Sequence, residues 1–464
     1  MTLSPQLYER LMKFHHVGVA ILVAAAIFII EHAGALNWLE NLTLRVAAGM
    51  QGDVVATQAK DAADAVVLTI PTEVYETDFG QASPLDRTKL AALLGKLANE
   101  KPRMLVIDLD LSPEGPGQAT LDEALIKIAR QGTQLLLATP FPVYSETLFQ
   151  AKFAWMKQLC GKPNIRFADT RLPVTQGVNL RYFKGRNALG DVAHAWSQPA
   201  QATAPQWPCN RVLDGENHAA FLDANTQQAE FEARISSQYT EQVHLDPATL
   251  RRTLASVVDI GNGLSIPTDL ALAGNTVFLG GDYSGADRFQ TIARSAPVPG
   301  VVVHAAAYNG ARHNPSRISH GLALLVDVII GTLAGLLFHA TWARHNGAQH
   351  QLATAGRQDW SLYLTTRLWL ALNFLLLALL IWAIMEAAVF LLDRHLWSNP
   401  APMVLGIFIK SLLGSRSHLL PEDRHAAHHA ESAHGHHPPA WIVGSDLVLV
   451  TALLIVLNLM LGHH

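Results

Sequence analysis

The sequence predicts an α/β extracytoplasmic domain with a mainly parallel sheet, plus four transmembrane α-helices, one N-terminal and three C-terminal. Half of the 464 residues are apolar and the mean hydropathy is +0.18, which is high for a chain built of soluble domains alone. Four long apolar runs carry much of this excess and predict membrane helices. Between the first and second runs, strand patterns alternate with helix patterns, which predicts the α/β domain.

Each apolar run is near the length that crosses a hydrocarbon core of about 30 Å at about 1.5 Å per residue. The runs are residues 14–36, 319–342, 366–392 and 440–461. A cleaved signal peptide is an alternative for the first run, because the small residues Ala33-Gly34-Ala35 follow its apolar core. Cleavage would leave three spans, with the large domain still outside.

Basic residues orient the chain through the positive-inside rule. They are Arg10, Lys13, Arg344, Arg357 and Arg367. Residues 1–13 and 343–365 are therefore predicted to be cytoplasmic, and residues 37–318 to be periplasmic in a multi-pass protein of the bacterial inner membrane. Alternation of the spans also places residues 393–439 outside, although that loop carries Lys and Arg residues of its own.

The domain from residue 37 to residue 318 begins with a strand–helix alternation. Strands are predicted at residues 65–70, 104–111 and 134–138, and helices at 85–99 and 121–130. Thr120 and Glu123 have the spacing of a capping box for the second helix. Right-handed crossovers between such strands produce a parallel sheet covered on both faces.

The second half of the domain returns to this pattern only near its end. A strand is predicted at residues 275–280 and a helix at 301–311, whereas residues 140–258 are predicted to form an insertion with some local structure. The Gly280-Gly281 pair fits a turn or a close backbone approach. Cys160 and Cys209, the two cysteines of the chain, fall in this insertion. In an oxidising compartment they are expected to form a disulfide that closes a loop of some fifty residues, with two free thiols as the alternative.

Two blocks of the domain carry a family resemblance. Residues 66–112 contain Pro84 and Arg87 before a Leu-rich helix and a strand that ends at Asp108, and residues 277–310 contain an Asp-x-Phe element and a Pro-Gly step into a helix with His304. In this order they resemble a type-two CHASE domain, the extracellular sensory domain associated with cyclases and histidine kinases. The resemblance extends over roughly residues 37–461, since that family places one span before the domain and usually three after it.

The resemblance implies a sensory, ligand-binding protein rather than an enzyme. Members of the family commonly continue into a cytoplasmic output domain, whereas this sequence ends at His464, so signalling is expected to occur in trans. The family usually has an acidic residue after the first strand, where this chain has Ile70-Pro71-Thr72. A shared ligand contact at that point is therefore in doubt.

Polar side chains at the carboxyl ends of parallel strands are the candidate ligand-binding residues, because ligands collect at that edge. They are Thr72, Glu73, Asp108, Asp110, Asp282 and Asp287, together with His304 on the last helix. Strand alternation would place the carboxylates of Asp108 and Asp110 on one face, where they could hold a cation or act as acid and base. Alternatively Asp108 caps a loop, Asp110 is solvated, and His304 is a hydrogen-bonded core residue.

Three acidic residues lie inside the predicted membrane spans. Asp327, Glu386 and Asp446 each fall six to eight residues from the outer end of a span. They would form an intramembrane acidic layer, and such groups indicate function because they are costly in lipid. The alternative is that each is protonated or ties helices together through hydrogen bonds.

A histidine-rich stretch precedes the last predicted span. It contains His425, His428, His429, His434, His436 and His437. Imidazoles at these spacings weakly suit a divalent metal, which is the one cofactor that the sequence suggests, and they also permit proton sensing. A polar connector is the alternative. Before this stretch, residues 403–413 are predicted to form a short apolar helix on the membrane surface.

The predicted partners are the lipid bilayer and either a membrane protein or further copies of the chain. Nucleic acid is not expected, because the net charge is −4 and no basic tract is present. Two other functions remain open at this point. The chain could be an accessory or structural subunit of a bacterial envelope complex, or a proton- or metal-linked membrane module.

Overall fold

The structure is a computed structural model that divides into two units. One unit is Gly52–Pro315, and the other combines Met1–Gln51 with Ser316–His464. The residues described are 21–30, 36–50, 65–139, 146–170, 181–183, 188–198, 209, 242–244, 247–283, 288–291, 294–313, 316–317, 320–355, 359–392, 396–397 and 399–416.

Six parallel strands form the central sheet of the first unit. They are β1 (Val66–Pro71), β2 (Met104–Asp108), β3 (Gln134–Ala138), β4 (Ile165–Ala168), β7 (Val257–Asp259) and β8 (Thr276–Asp282), in the order β4-β3-β2-β8-β1-β7. Two antiparallel pairs accompany the sheet, namely β5 (Arg181–Phe183) with β6 (Gln242–His244) and β9 (Arg288–Thr291) with β10 (Arg294–Pro299). The predicted parallel α/β domain is thus confirmed.

Helices cover both faces of the sheet. The short helix α3 (Thr72–Thr77) follows β1; α4 (Arg87–Asn99), α5 (Gln118–Arg130) and α6 (Glu146–Cys160) cover one face, and α7 (Leu189–Ser197), α8 (Pro247–Ala255) and α9 (Gly300–His313) the other. In β2, Leu105 and Ile107 enter the first core whereas Met104 and Val106 enter the second, as the two-residue period of a strand requires.

The closest approach between the sheet and a helix occurs at Gly280. A Cβ at this position would lie 2.5 Å from the Cβ of Val301, so β8 and α9 pack at a distance that only glycine permits. The sequence interpretation of a close backbone approach therefore applies to Gly280.

Two sequence predictions about this unit differ from the structure. Helix α5 begins after Gly117, which is left-handed (φ 84°) and forms no side-chain cap, so the capping box at Thr120 and Glu123 is wrong. The predicted insertion, residues 140–258, supplies both edge strands of the sheet, β4 and β7, and three of the covering helices. Much of that segment is therefore part of the α/β fold itself.

The second unit is helical. Its elements are α1 (Ile21–Ile30), α2 (Asn37–Met50), β11 (Ser316–Arg317), α10 (His320–Ala355), α11 (Trp360–Leu392), β12 (Leu396–Trp397) and α12 (Ala401–Arg416). Within the described residues, two helical segments are long and apolar enough to cross a membrane, Gly321–Leu352 and Trp360–Leu392. The predicted span 440–461 lies outside the described residues, as does most of the span 14–36 beyond α1.

Helices α10 and α11 extend past the predicted spans. Residues 343–355 continue α10 and residues 360–365 begin α11, so the predicted loop 343–365 is mostly helical. Hydropathy marks where a helix leaves the lipid, whereas Ala and Gln residues allow the helix itself to continue. The two helices are joined by polar contacts: Thr341 Oγ1 donates to Asn373 Oδ1 at 2.6 Å, and His345 Nδ1 lies 3.1 Å from the carbonyl oxygen of Thr366.

Candidate functional site

The carboxyl edge of the sheet brings together residues that are far apart in the sequence. Strand β8 lies between β1 and β2, with Pro71 opposite Asp282 and Asp108 opposite Gly280. Thr72 Oγ1 donates to the carbonyl oxygen of Asp282 at 3.4 Å. The predicted candidates Thr72, Asp108 and Asp282 therefore occupy three adjacent strand ends, as expected for a parallel sheet.

Charged groups with solvent access surround the end of β8. Arg288, whose side chain is 40% exposed, forms an ion pair with the carboxylate of Asp282, which is 25% exposed. The exposed Glu73 carboxylate accepts a hydrogen bond of 2.8 Å from Asn262 Nδ2. This edge thus offers both a guanidinium group and carboxylates to a ligand. Arg288 and Asn262 were not among the sequence candidates.

A pair of stacked tyrosines borders these charged groups. The rings of Tyr75 on α3 and Tyr283 after β8 are parallel within 8°, with centroids 4.1 Å apart. Both rings are partly buried against the first core. They hold the start of α3 against the end of β8, and so fix the positions of Glu73 and Asp282.

Asp110 belongs to an ionic cluster around a buried lysine, although its own side chain is 45% exposed. Its Oδ2 lies 2.6 Å from Nζ of Lys152, a lysine of α6 that is only 4% exposed and that also pairs with Glu114. Its Oδ1 accepts hydrogen bonds from the backbone N–H and the hydroxyl of Ser112. Partial burial raises the pKa of Asp110, but the bonds from Lys152 and Ser112 outweigh it, so that the pKa is lowered overall.

Arg87 completes this cluster from the first turn of α4. The side chain is 1% exposed, and its two terminal nitrogens donate to the carbonyl oxygens of Asp110 and Ser112, each at 2.8 Å. Burial lowers the pKa of Arg87, opposed by the negative charges of Asp110 and Glu114. Arg87 and Lys152 thus hold the loop after β2 in place.

The sequence predicted that the carboxylates of Asp108 and Asp110 lie on one face, because both residues were expected to belong to one strand. Strand β2 ends at Asp108, so its two-residue alternation does not extend to Asp110. Asp110 is instead oriented by Lys152 and Ser112. Asp287 lies outside the described residues.

His304 is a buried residue of α9. It is 1% exposed, and its Nε2 lies 3.2 Å from the carbonyl oxygen of Thr170. Burial lowers the pKa of His304 to about 4, although the Thr170 carbonyl and the charge of Asp169 act in the opposite direction. His304 therefore stays neutral at physiological pH and contributes to the core.

Acidic pH is expected to destabilise the α/β unit through His304. With a pKa of about 4 when folded and about 6.5 when unfolded, the unfolded chain binds more protons between these pH values. The contribution of neutral His304 to the free energy of unfolding is fully present above the unfolded pKa of about 6.5 and is lost as the pH falls toward 4. The total loss is about 3 kcal/mol, at about 1.4 kcal/mol per pH unit. Thermal unfolding of the full chain in detergent at stepped pH values measures this change. His304→Gln should remove it, and an unchanged pH profile in that variant would contradict this assignment.

The disulfide joins the end of α6 to a residue of the predicted insertion. Cys160 and Cys209 are bonded to each other, and both are buried against the first core. The bond attaches a segment that lies far along the chain to the helix that carries Lys152.

Of the three carboxylates predicted to form a membrane layer, the structure describes Asp327 and Glu386, and these two do not line the same cavity. Asp327 lines a cavity of about 20 Å³ between α1, α10 and α12, together with Ile27, Gly331 and Gly406. A space of this size holds about one water molecule. Glu386 is exposed on α11 and is not part of that lining, because Ile384 and Met385 occupy the buried face of the helix.

Asp446 and the six histidines of the histidine-rich stretch lie outside the described residues. In the part of the chain that the structure describes, no group of three or more His, Cys, Asp or Glu side chains is arranged to hold a metal ion. The metal prediction for the histidine-rich stretch stays a prediction.

Comparison with known families gives one match. The family model described as CHASE2 domain matches residues 20–337, which is more than half of the chain. No curated protein matches the chain, and no solved structure does.

Proposed function

The chain belongs to the CHASE2 domain family, a family of sensory extracellular domains, and from this premise we propose that it is a membrane-anchored sensor. Its α/β domain binds a signal at the carboxyl edge of the sheet, and the membrane helices pass the resulting shift to a partner. The role is binding and transmission rather than catalysis.

One observation carries the choice of this edge: Asp282 and Arg288 form an ion pair with solvent access at the end of β8, and the exposed Glu73 follows the end of the adjacent strand β1. The helix that follows β8, α9, covers the opposite face of the sheet from α4 and α5, which follow the neighbouring strands β1 and β2, and doubly wound sheets bind ligands at such a change of face. The Asp282–Arg288 pair suggests a ligand with charged or strongly polar groups. Either side chain could replace its ion pair within the protein by an ion pair or hydrogen bond with such a ligand group. The buried guanidinium group of Arg87 supports this edge by holding the loop after β2 in place.

The anchoring part of the proposal rests on α10 and α11. Their apolar segments contain 32 and 33 residues, more than the roughly 20 that a membrane helix needs. The basic residues Arg344 and Arg367 near the turn between these helices favour a cytoplasmic location for that turn. The α/β domain is then periplasmic in a bacterial inner membrane, where the Cys160–Cys209 disulfide is stable.

Ligand binding is tested by charge-neutralising variants at the edge. We expect a panel of small organic acids, amines and peptides to contain a compound that raises the melting temperature of the full chain in detergent. The shift should be lost in Arg288→Gln and Glu73→Gln and retained in Arg130→Gln, which removes an exposed charge at the far end of α5. A compound whose shift persists in both edge variants would place the binding site elsewhere.

Signalling in trans requires a second membrane protein. Gentle solubilisation of native membranes, followed by mass spectrometry of the co-purifying proteins, should recover a partner whose yield changes when Arg288 is replaced by Gln. Recovery of a lone homo-oligomer under several solubilisation conditions would count against signalling in trans and would favour transmission between copies of the chain.

A further inference from the structure

Helices α10 and α12 start at the same end of the membrane unit. Strands β11 and β12 pair in parallel, with Ser316 opposite Leu396 and Arg317 opposite Trp397. β11 leads into α10 at His320, and β12 leads into α12 at Ala401, whose backbone N–H is capped by the side chain of Asn399 at 3.0 Å. Parallel strands that each enter a helix within four residues deliver two helices that begin at the same end of the unit and run in the same direction.

The packing shows that α12 then runs along α10 in the same direction. Pro402 and Met403 line a cavity with Asp327 and Ile330, and further along α12 the buried Ile407 packs with Ala334 and Phe338. Later residues of α12 therefore meet later residues of α10, which is the pattern of parallel helices.

Small residues allow the helices to pack closely. Gly331 of α10 and Gly406 of α12 line the same small cavity. A Cβ at Gly406 would lie 3.6 Å from Cδ1 of Ile27, so α1 also packs on this side of α12. Glycines at a helix–helix contact are typical of packing inside a membrane.

The length of α12 carries it across most of the bilayer. Its 16 residues extend for about 24 Å at about 1.5 Å per residue. It starts near the level of Asp327, about 10 Å along α10 from His320. The far end of α12 is thus roughly 34 Å from the start of α10, compared with a hydrocarbon core of about 30 Å.

From this arrangement we infer that α12 is a third membrane-inserted helix, so that the chain after Arg416, which carries the histidine-rich stretch, continues on the same side of the membrane as the turn between α10 and α11. This side is opposite to the one from which α10 enters, directly after the α/β unit. The inference replaces two expectations from the sequence, namely a surface helix at residues 403–413 and an external location for the whole loop 393–439. It does not depend on the ligand that the α/β domain binds.

Charge agrees with this placement. Lys410, Arg416 and Arg424 follow the apolar start of α12, and Arg344 and Arg367 mark the same side near the turn between α10 and α11. Arg416 and Arg424, which conflicted with an external loop, now obey the positive-inside rule, whereas Arg394, which precedes α12 in the sequence, remains on the outer side. The histidine-rich stretch then faces the cytoplasm, where it would meet cytoplasmic protons, metal ions or proteins.

Single-cysteine labelling of the full chain tests the inference, because the native cysteines are bonded to each other and do not react with maleimides. Ser432→Cys reports on the histidine-rich stretch, Glu100→Cys on the α/β unit, and Gln351→Cys on the end of α10. In intact spheroplasts, a membrane-impermeant maleimide should label position 100 only. After permeabilisation it should also label positions 351 and 432. Labelling of position 432 together with position 100 in intact spheroplasts would overturn the inference.

Cross-linking tests the helix placement directly. The pair Ile330→Cys and Met403→Cys should form a disulfide on mild oxidation, because both residues line the same cavity. The pair Ile330→Cys and Phe408→Cys serves as control, because Phe408 is exposed on α12, and should not cross-link. If position 432 stays unlabelled even after permeabilisation, absence of the 330–403 cross-link overturns the inference and its presence supports it.

Discussion

Replacement of Arg87 by methionine is expected to lower the free energy of unfolding of the α/β unit by about 3 to 5 kcal/mol, since two hydrogen bonds from a charged donor are worth roughly 1.5–3 kcal/mol each. The carbonyl oxygens of Asp110 and Ser112 would lose their donors, and Ser112 is fully buried. Methionine fills much of the volume, so the loss reports the unsatisfied carbonyl groups more than a cavity.

Two further variants separate this effect from a general loss of positive charge. Arg130→Met removes an exposed arginine from the end of α5 and should change the free energy of unfolding by less than about 0.5 kcal/mol. Arg87→Lys keeps the charge but lacks the planar fork that reaches both carbonyl groups, so its stability should be intermediate. Unfolding of the full chain in detergent, monitored by fluorescence and limited proteolysis, provides the comparison. Unfolding of Arg87→Met at the wild-type temperature would show that these bonds contribute little.

Local periodicity explains why the core of the α/β fold was predictable. Leu90, Leu93, Leu94 and Leu97 have the spacing of a helix face, and all four are fully buried in α4. The predicted strand at residues 134–138 is observed as β3. Such elements are encoded by neighbouring residues, so one sequence is sufficient to locate them.

Long-range contacts explain what was missed. The edge strands β4 and β7 contain only four and three residues, too few for a periodic signal, and they are defined by pairing with β3 and β1. Lys152 carried a weak signal, because it continues the buried stripe of Trp155, Met156 and Leu159 at helical spacing. Its partners Asp110 and Glu114 lie about forty residues earlier, and only the fold shows them.

The position of α12 in the membrane unit could not be predicted from the sequence for the same reason. Residues 403–413 are apolar enough either to lie on a membrane or to enter it, and hydropathy does not distinguish the two. The decisive feature is a pair of two-residue strands, β11 and β12, separated by eighty positions, which starts α12 beside α10.

At the carboxyl edge of the sheet, the predicted strand ends located Thr72 and Asp282. Arg288 was missed, because it reaches Asp282 only through the fold of β9.

Removal of the disulfide should have an effect comparable to that of the Arg87 variant. Cys160 and Cys209 are separated by 49 positions, and in the chain-entropy model a loop of this length stabilises the folded state by about 4 kcal/mol. The double variant Cys160→Ser with Cys209→Ser should therefore melt well below the wild-type protein.

Reductant provides the matched control for this prediction. Wild-type protein unfolded and refolded under reducing conditions should melt close to the double variant, whereas the double variant itself should be insensitive to reductant. The single variant Cys209→Ser should match the double variant, because the loss comes from opening the loop and not from either sulfur alone. Equal melting temperatures for oxidised and reduced wild-type protein would mean that the unfolded chain is already restricted in this region, so that the cross-link removes little entropy. In that case α6 is held in the fold chiefly by its packing and by the Lys152 ion pairs, and Lys152→Met would become the more damaging change.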